Sequence, residues 1–368
     1  MSVVLTPVHA EPQRSADVMT VRQPAAPAGW LFGPRVDYLC AGSLTFFIFL
    51  PLLVLNVTTP NPAFINTLVI LGNVLVNSPH YAATYYRVYR GKARILEYPI
   101  EAVVAPAILA VVAAACFVFP TSLTPWVAFA YLATSGYHYA GQTYGVSMIF
   151  LGKSGARLTM LQKRILRAPI YAAYVYSVIK LNVAGRQPSK VLETVVPTLD
   201  VPATVLMAAG VAVGIAVVMF LGLNVWFYRR NRRSLPPVVN TIVAAHVVWF
   251  TMTQFPLLIA FVPFLHCLQY LLVTAFFDFK EQRAQQAGTV LTLARYFRST
   301  MFIRYYATQV GIGLGLFILL PFVLTSAGAG PQALVVAVVF SILNLHHFIL
   351  DGTIWKLRSP TVRQPLLT

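Results

Sequence analysis

A chain of 368 residues could hold two or three soluble domains, but 58% of this one is hydrophobic and only 10% charged, against about 25% charged in soluble proteins. That composition excludes an ordinary soluble enzyme and points to an all-α, polytopic membrane bundle. The formal net charge of +17 would suggest nucleic-acid binding on a soluble chain. Here the placement of the basic residues assigns that charge to membrane topology and the lipid bilayer, and leaves no nucleic-acid partner to explain it.

Residues 1–36 carry Glu11, Arg14, Asp17 and Arg22 and run into a Pro/Ala-rich stretch before Trp30. They contain no apolar core of about 7–15 residues, as a secretory signal would. A disordered cytoplasmic tail is expected, with the first hydrophobic run acting as an uncleaved insertion signal. A bilayer core takes roughly 20 apolar residues as helix. Ten runs fit, at 38–57, 64–88, 99–119, 125–149, 163–182, 200–226, 237–255, 257–278, 305–326 and 332–355. The fifth is the least apolar, and the seventh and eighth are divided only around Gln254, Phe255 and Pro256.

The basic residues test that count, because cytoplasmic loops hold the Lys/Arg excess. With both termini cytoplasmic, all of the 27 Lys and Arg except Lys180, Arg186 and Lys190 fall on the cytoplasmic side. The expected organisation is therefore a single transmembrane domain over 37–358 and a cytoplasmic tail over 359–368, in the inner membrane of a bacterium. Cys40, Cys116 and Cys267 sit in apolar runs and match no zinc or redox spacing. Gly311, Gly313 and Gly315 lie inside the ninth run and are expected to be close-packing positions. Residues Gly288 to Arg304 alternate apolar and basic character, as an interfacial amphipathic helix would.

Ionisable side chains inside a membrane are expensive and by default mark function. His80, His138, His266 and the adjacent pair His346 and His347 fall in the second, fourth, eighth and tenth runs, all directed from outside to inside. Their distances from the first basic residue beyond each run spread over roughly 10 to 20 Å at 1.5 Å per residue, so the sequence alone does not place them in one plane. His138 is followed four residues on by Gln142, His266 three on by Gln269 and four on by Tyr270, and His347 four on by Asp351. Each such pair shares a helix face.

Imidazoles with a nearby carboxylate or amide suit a metal ion and the groups that orient its ligands. We therefore expect His80, His138, His266, His346 and His347 to be metal ligands, with Asp351, Gln142 and Gln269 in catalytic or orienting roles. His246 stands alone on an oppositely directed run and is expected to be a packed, hydrogen-bonded side chain. Tyr81, Tyr85, Tyr86 and Tyr89 read as an interfacial aromatic belt, and Pro79 as a kink whose freed carbonyl a neighbour must satisfy. Glu97 and Glu101 suit a helix N-terminus, and Glu101 also comes within range of a site near His80.

Such a centre fits oxidation of a lipophilic substrate, such as a lipid or isoprenoid, by non-haem iron or copper, in an oxygenase, hydroxylase or desaturase supplied by an electron donor. The HxxxH and HxxHH boxes of membrane desaturases are absent. The alternative class is non-enzymatic: a transporter with a histidine proton pathway, or a carrier holding haem between two histidines.

The charge distribution makes a direct prediction. Reporters fused after Arg94 and Arg233 are expected in the cytoplasm and one fused after Lys190 on the opposite side; an external report from either of the first two would overturn the topology.

Overall fold

The computed structural model describes residues 29–54, 67–68, 70–187, 190–191, 194–252, 256–285 and 291–367. Residues 1–28 of the expected tail, Gln254 and Phe255 of the expected turn, and Gly288 to Val290 at the start of the expected interfacial segment lie outside them. A helix lies over each of the ten apolar runs, and we number these α1 (34–54), α2 (70–89), α3 (Ile100–Val118), α4 (Pro120–Lys153), α5 (Met160–Leu181), α6 (Ala203–Asn231), α7 (Pro237–Thr251), α8 (Pro256–Gln285), α9 (Thr300–Ser326) and α10 (Gln332–Ile354). The described residues are otherwise short helices and loops, with one ribbon in which Lys190–Val191 pairs antiparallel with Thr194–Val195 between α5 and α6.

Among the described residues α3, α6, α8, α9 and α10 are long and apolar enough to cross a membrane. They divide into two kinds. Only 11% of the apolar stretch of α3 and 17% of those of α6 and α9 are buried in the bundle, against 67% for α8 and 50% for α10. The first three present Val111, Val218 and Phe322 to the outside, an apolar surface that only lipid covers at low cost. The last two lie at the centre, and each carries an expected site histidine.

Local sequence explains several joints. Thr159 opens α5 with a reciprocal cap, accepting from the Gln162 amide at 3.3 Å while the Gln162 side chain accepts from the Thr159 amide at 2.9 Å. Pro79 has no N–H to offer the carbonyl of Leu75, and the Tyr306 hydroxyl of α9 donates to that carbonyl instead. The turn that precedes His80 is thereby tied to the neighbouring helix. That turn is π-helical over Asn73–Asn77.

Both terminal segments are packed where they are described, against the disorder expected of the first. Leu31 is buried, and its amide and that of Phe32 donate to the Asp37 carboxylate at 2.6 and 3.1 Å, so the chain is already packed before α1 begins at Pro34. Residues Pro360–Leu367 form a helix that buries Val362 and Leu366. An apolar side chain every fourth residue is enough to dock such a segment. Within the described part of the expected interfacial segment Leu293–Phe297 is helical and a further helix begins at Thr300, and Tyr296 turns inward to donate to Asp278 at 2.7 Å.

Of the three glycines of α9, one is a close-packing position. A Cβ on Gly313 would lie 2.5 Å from Ser78 Cβ and 2.7 Å from the Ser78 carbonyl, whereas at Gly311 and Gly315 it would meet nothing within 4 Å. Gly313→Leu is therefore expected to force α9 from α2 at an overpacking cost of about 1–3 kcal/mol or more, lowering the melting temperature, while Gly315→Leu leaves it near the parent value. Equal melting temperatures for the two variants would contradict this packing.

Candidate metal centre

Four histidines from four helices meet in the middle of the bundle. Ring centroids of His80 and His347 stand 4.6 Å apart, those of His80 and His266 5.1 Å, those of His138 and His266 5.0 Å, and those of His138 and His347 5.0 Å. The rings thus close a quadrilateral, with 6.1 Å across it from His80 to His138. His80, His266 and His347 are essentially inaccessible, and the His138 side chain is 7% exposed. Ligand atoms of His80, His138 and His266 lie within 4.8 Å of one another, as do those of His138, His347 and Asp351. Ligands about 2 Å from one ion stand no farther apart than roughly 4 Å, so a small inward adjustment of either set suffices.

The rings lack ordinary partners. Both nitrogens of His80, His266 and His347, and Nε2 of His138, are buried without a hydrogen bond. Leaving one buried polar atom unpaired costs about 1–3 kcal/mol, and native interiors seldom do so. Such a concentration of buried ring nitrogens in one cluster makes it a candidate metal site.

Each imidazole is instead covered by an aromatic ring. Tyr139 stacks on His266 with centroids 3.8 Å apart, Phe348 on His138 at 4.6 Å, while Tyr81 meets His347 edge-on at 4.9 Å and Tyr270 meets His80 at 4.3 Å. Three of the four histidines are followed in sequence by an aromatic residue, in His80-Tyr81, His138-Tyr139 and His347-Phe348. Successive residues on a helix differ by about 100° in direction, so His80, His138 and His347 face the cluster while the aromatic next in sequence covers the imidazole of a neighbouring helix. Tyr81 and Tyr85 accordingly leave the expected interfacial belt: both are buried, and the Tyr85 hydroxyl donates to the Leu343 carbonyl at 2.8 Å.

One helical turn beyond the histidines lies a second polar layer. Thr84, Gln142, Tyr270 and Asp351 follow His80, His138, His266 and His347 by four residues each. Asp351 Oδ1 accepts from the Thr84 hydroxyl at 2.7 Å and from the Tyr270 hydroxyl at 2.8 Å, and Trp355 Nε1 donates to the Tyr270 oxygen at 2.8 Å. The guanidinium of Arg87 lies 4.3 Å from the Trp355 ring. With Oδ1 held in this way, Oδ2 faces Nε2 of His347 at 3.7 Å and of His138 at 3.9 Å. These separations are too long for hydrogen bonds and suit two groups placed around a common ion. Because α2, α8 and α10 meet at both layers, they run in the same direction.

Other expected site residues lie elsewhere. His346 turns away from the quadrilateral: its Nε2 bonds the Glu101 carbonyl at 2.9 Å, and Tyr85 and Tyr89 flank it. Its neighbour His347 takes the inward direction, and the angle between adjacent residues excludes both from one compact set. Gln269 faces α1, where its amide donates to the carbonyl of Ala41; Tyr270 is the residue of that turn facing the cluster. Gln142 donates to the His266 carbonyl at 2.9 Å, and its Oε1 is buried without a partner. Glu101 does not come to His80 but accepts from Thr353 at 3.1 Å, tying α3 to α10. His246 lies between Thr143 Oγ1 at 3.0 Å and the Ile170 carbonyl at 3.2 Å and is fully satisfied.

Thr84 and Trp355 are absent from the residues expected on sequence grounds. A signal is present, since Thr84 follows His80 and Trp355 follows Asp351 by one turn, the same spacing that marks Gln142 and Asp351. Comparison of the chain with known protein families, with curated proteins and with solved structures gives no match.

The geometry separates the adjacent histidines. His347→Gln is expected to lower the metal content of the purified protein, and His346→Gln to leave it unchanged; equal loss from both variants would mean that the pair acts as one ligand set.

Proposed function

We propose that this chain is a membrane-embedded, metal-dependent oxidoreductase acting on a lipophilic molecule. One observation carries the reading: the unpaired ring nitrogens of four buried histidines that converge from four helices. The two overlapping ligand sets share His138, so we assign one ion between them. His80, His138, His266 and His347 would hold it, with Asp351 as a further ligand or as the group that orients the His347 and His138 rings. No thiolate belongs to either set, and imidazole with carboxylate suits iron or copper among the redox metals.

When bound, such an ion supplies one-electron chemistry that no side chain of the cluster offers. The chain's own contribution is to fix the imidazoles beneath aromatic rings, to exclude water from three of them, and to hold Asp351 Oδ1 so that Oδ2 points inward. Asp351 is the one carboxylate in the two sets and offsets part of the ion's charge. Electrons would come from a donor at the membrane surface.

Packing favours this reading over the haem carrier. The four rings touch across 4.6 to 6.1 Å, which leaves no slot for a porphyrin between any two. For the membrane arrangement we propose ten spans with both termini cytoplasmic, in a bacterial inner membrane. The coincidence of ten helices with the ten apolar runs and the one-sided Lys/Arg distribution support it.

Protein purified in detergent is expected to carry one iron or copper per chain, with a paramagnetic resonance signal that changes reversibly between oxidant and dithionite. Asp351→Asn should keep the fold and lower metal affinity or turnover by roughly 10–100-fold. Zinc alone, haem, or no bound metal in the parent protein would overturn the reading, and an Asn variant equal to the parent would remove Asp351 from it.

A further inference from the structure

The metal centre is not closed on all sides. A cleft of about 620 Å3 runs between α4 and α10 and is lined on its polar side by His138, Gln142, Tyr270 and Asp351. That volume falls within the roughly 300–1,000 Å3 of small-molecule sites. Its walls are apolar, including Leu109, Val146, Ile149, Leu345 and Phe348.

Missing side chains shape the hollow. Gly141 and Gly145 lie one turn apart on α4 and Gly352 lies opposite on α10, all three lining the cleft. A Cβ would meet nothing within 4 Å at Gly145 or Gly352, and only the Tyr171 hydroxyl, at 3.9 Å, at Gly141. These glycines serve no helix-to-helix contact; they leave space. The rim includes Tyr137 and Ile349, which are 55% and 40% exposed on the outer face of the bundle, so the cleft opens sideways where lipid would lie. At its other end stands Lys356, exposed just past α10, with no carboxylate in ion-pair contact among the described residues. Inside, Gln142 Oε1 is a buried acceptor with no donor.

We infer that this cleft is the substrate site and that its occupant is an elongated lipophilic chain with an acidic head, admitted laterally from the bilayer. The inference rests on the metal-dependent reading above and adds the substrate class and its orientation. The head lies at Lys356, which supplies the complementary charge. The chain passes between Gly352 and Gly145, and one of its carbons comes beside His138 and Asp351 while its far end extends toward Thr134. His138, the one of the four that lines the cleft, is the ligand the chain touches.

Photolabelling of the detergent-purified, metal-loaded full chain with a diazirine-bearing palmitic acid tests this, with its methyl ester as the uncharged counterpart. Labelled peptides are expected from 134–149 and 345–357. Gly145→Leu, which fills the hollow without touching a histidine, should cut that labelling at least tenfold and keep the parent metal content; Gly352→Leu does the same from the opposite wall if the first variant fails to fold. Lys356→Gln should reduce labelling by the acid to the level of the ester. Undiminished labelling in a folded, metal-bearing glycine variant, or label spread evenly over α6, would overturn the cleft, and equal labelling of the parent by acid and ester would overturn the acidic head. Metal analysis of the same samples keeps the two readings apart, because cleft labelling of a metal-free parent would contradict the centre and not the cleft.

Discussion

An imidazole buried without a hydrogen bond is a cost, and the interior of this bundle gathers that cost four times in one place. His80, His138, His266 and His347 present unpaired nitrogens to each other across about 5 Å, in surroundings where water is scarce. A bound cation would turn the same arrangement from a penalty into a binding site, with one nitrogen of each ring as a ligand. Much of the surrounding structure acts to keep the rings where they are. Aromatic side chains cover each imidazole, Tyr306 satisfies the carbonyl that Pro79 leaves free beside His80, and Gly313 lets α9 close against Ser78 in the same turn of α2.

The second layer shows how little sequence is needed to build a rigid centre on helices of common direction. A step of four residues returns to nearly the same face about 6 Å further along, so each histidine has a polar residue beneath it. Thr84 and Tyr270 fix one oxygen of Asp351, and Trp355 fixes Tyr270. The carboxylate so held is oriented without mobile side chains, which is how outer groups preserve a ligand geometry. Gln142 belongs to the same layer but borders the cleft, and its Oε1 is buried there without a partner.

Much of this is legible in the sequence. Apolar run length locates the helices, since a bilayer core asks for roughly 20 apolar residues in a span, and the rarity of histidines within apolar runs singles out the cluster. Direction around each helix is harder. His346 and His347 are equivalent in composition, and only packing against α3 shows that His346 bonds the Glu101 carbonyl while its neighbour turns inward. Gln269 and Tyr270 pose the same problem one step apart, and contact with α1 decides it. The nearest basic residue is also a poor gauge of each histidine's depth, because α4 continues to Lys153 and α8 to Gln285 beyond the apolar runs, so the distance to a charge does not measure the distance to a common plane. The tyrosines of α2 read as a belt because interfacial and site-lining aromatics share a composition and differ only in what they face.

X-ray absorption at the edge of the proposed metal is the most direct test of the centre. A first shell of nitrogen and oxygen at about 2.0–2.2 Å, with outer-shell scattering from several imidazoles that weakens in the His80→Ala, His138→Ala, His266→Ala and His347→Ala proteins but not in His346→Ala, is the expected result. A shell of sulfur at about 2.3 Å, or an imidazole pattern unaffected by loss of any of the four, would place the metal elsewhere and contradict it.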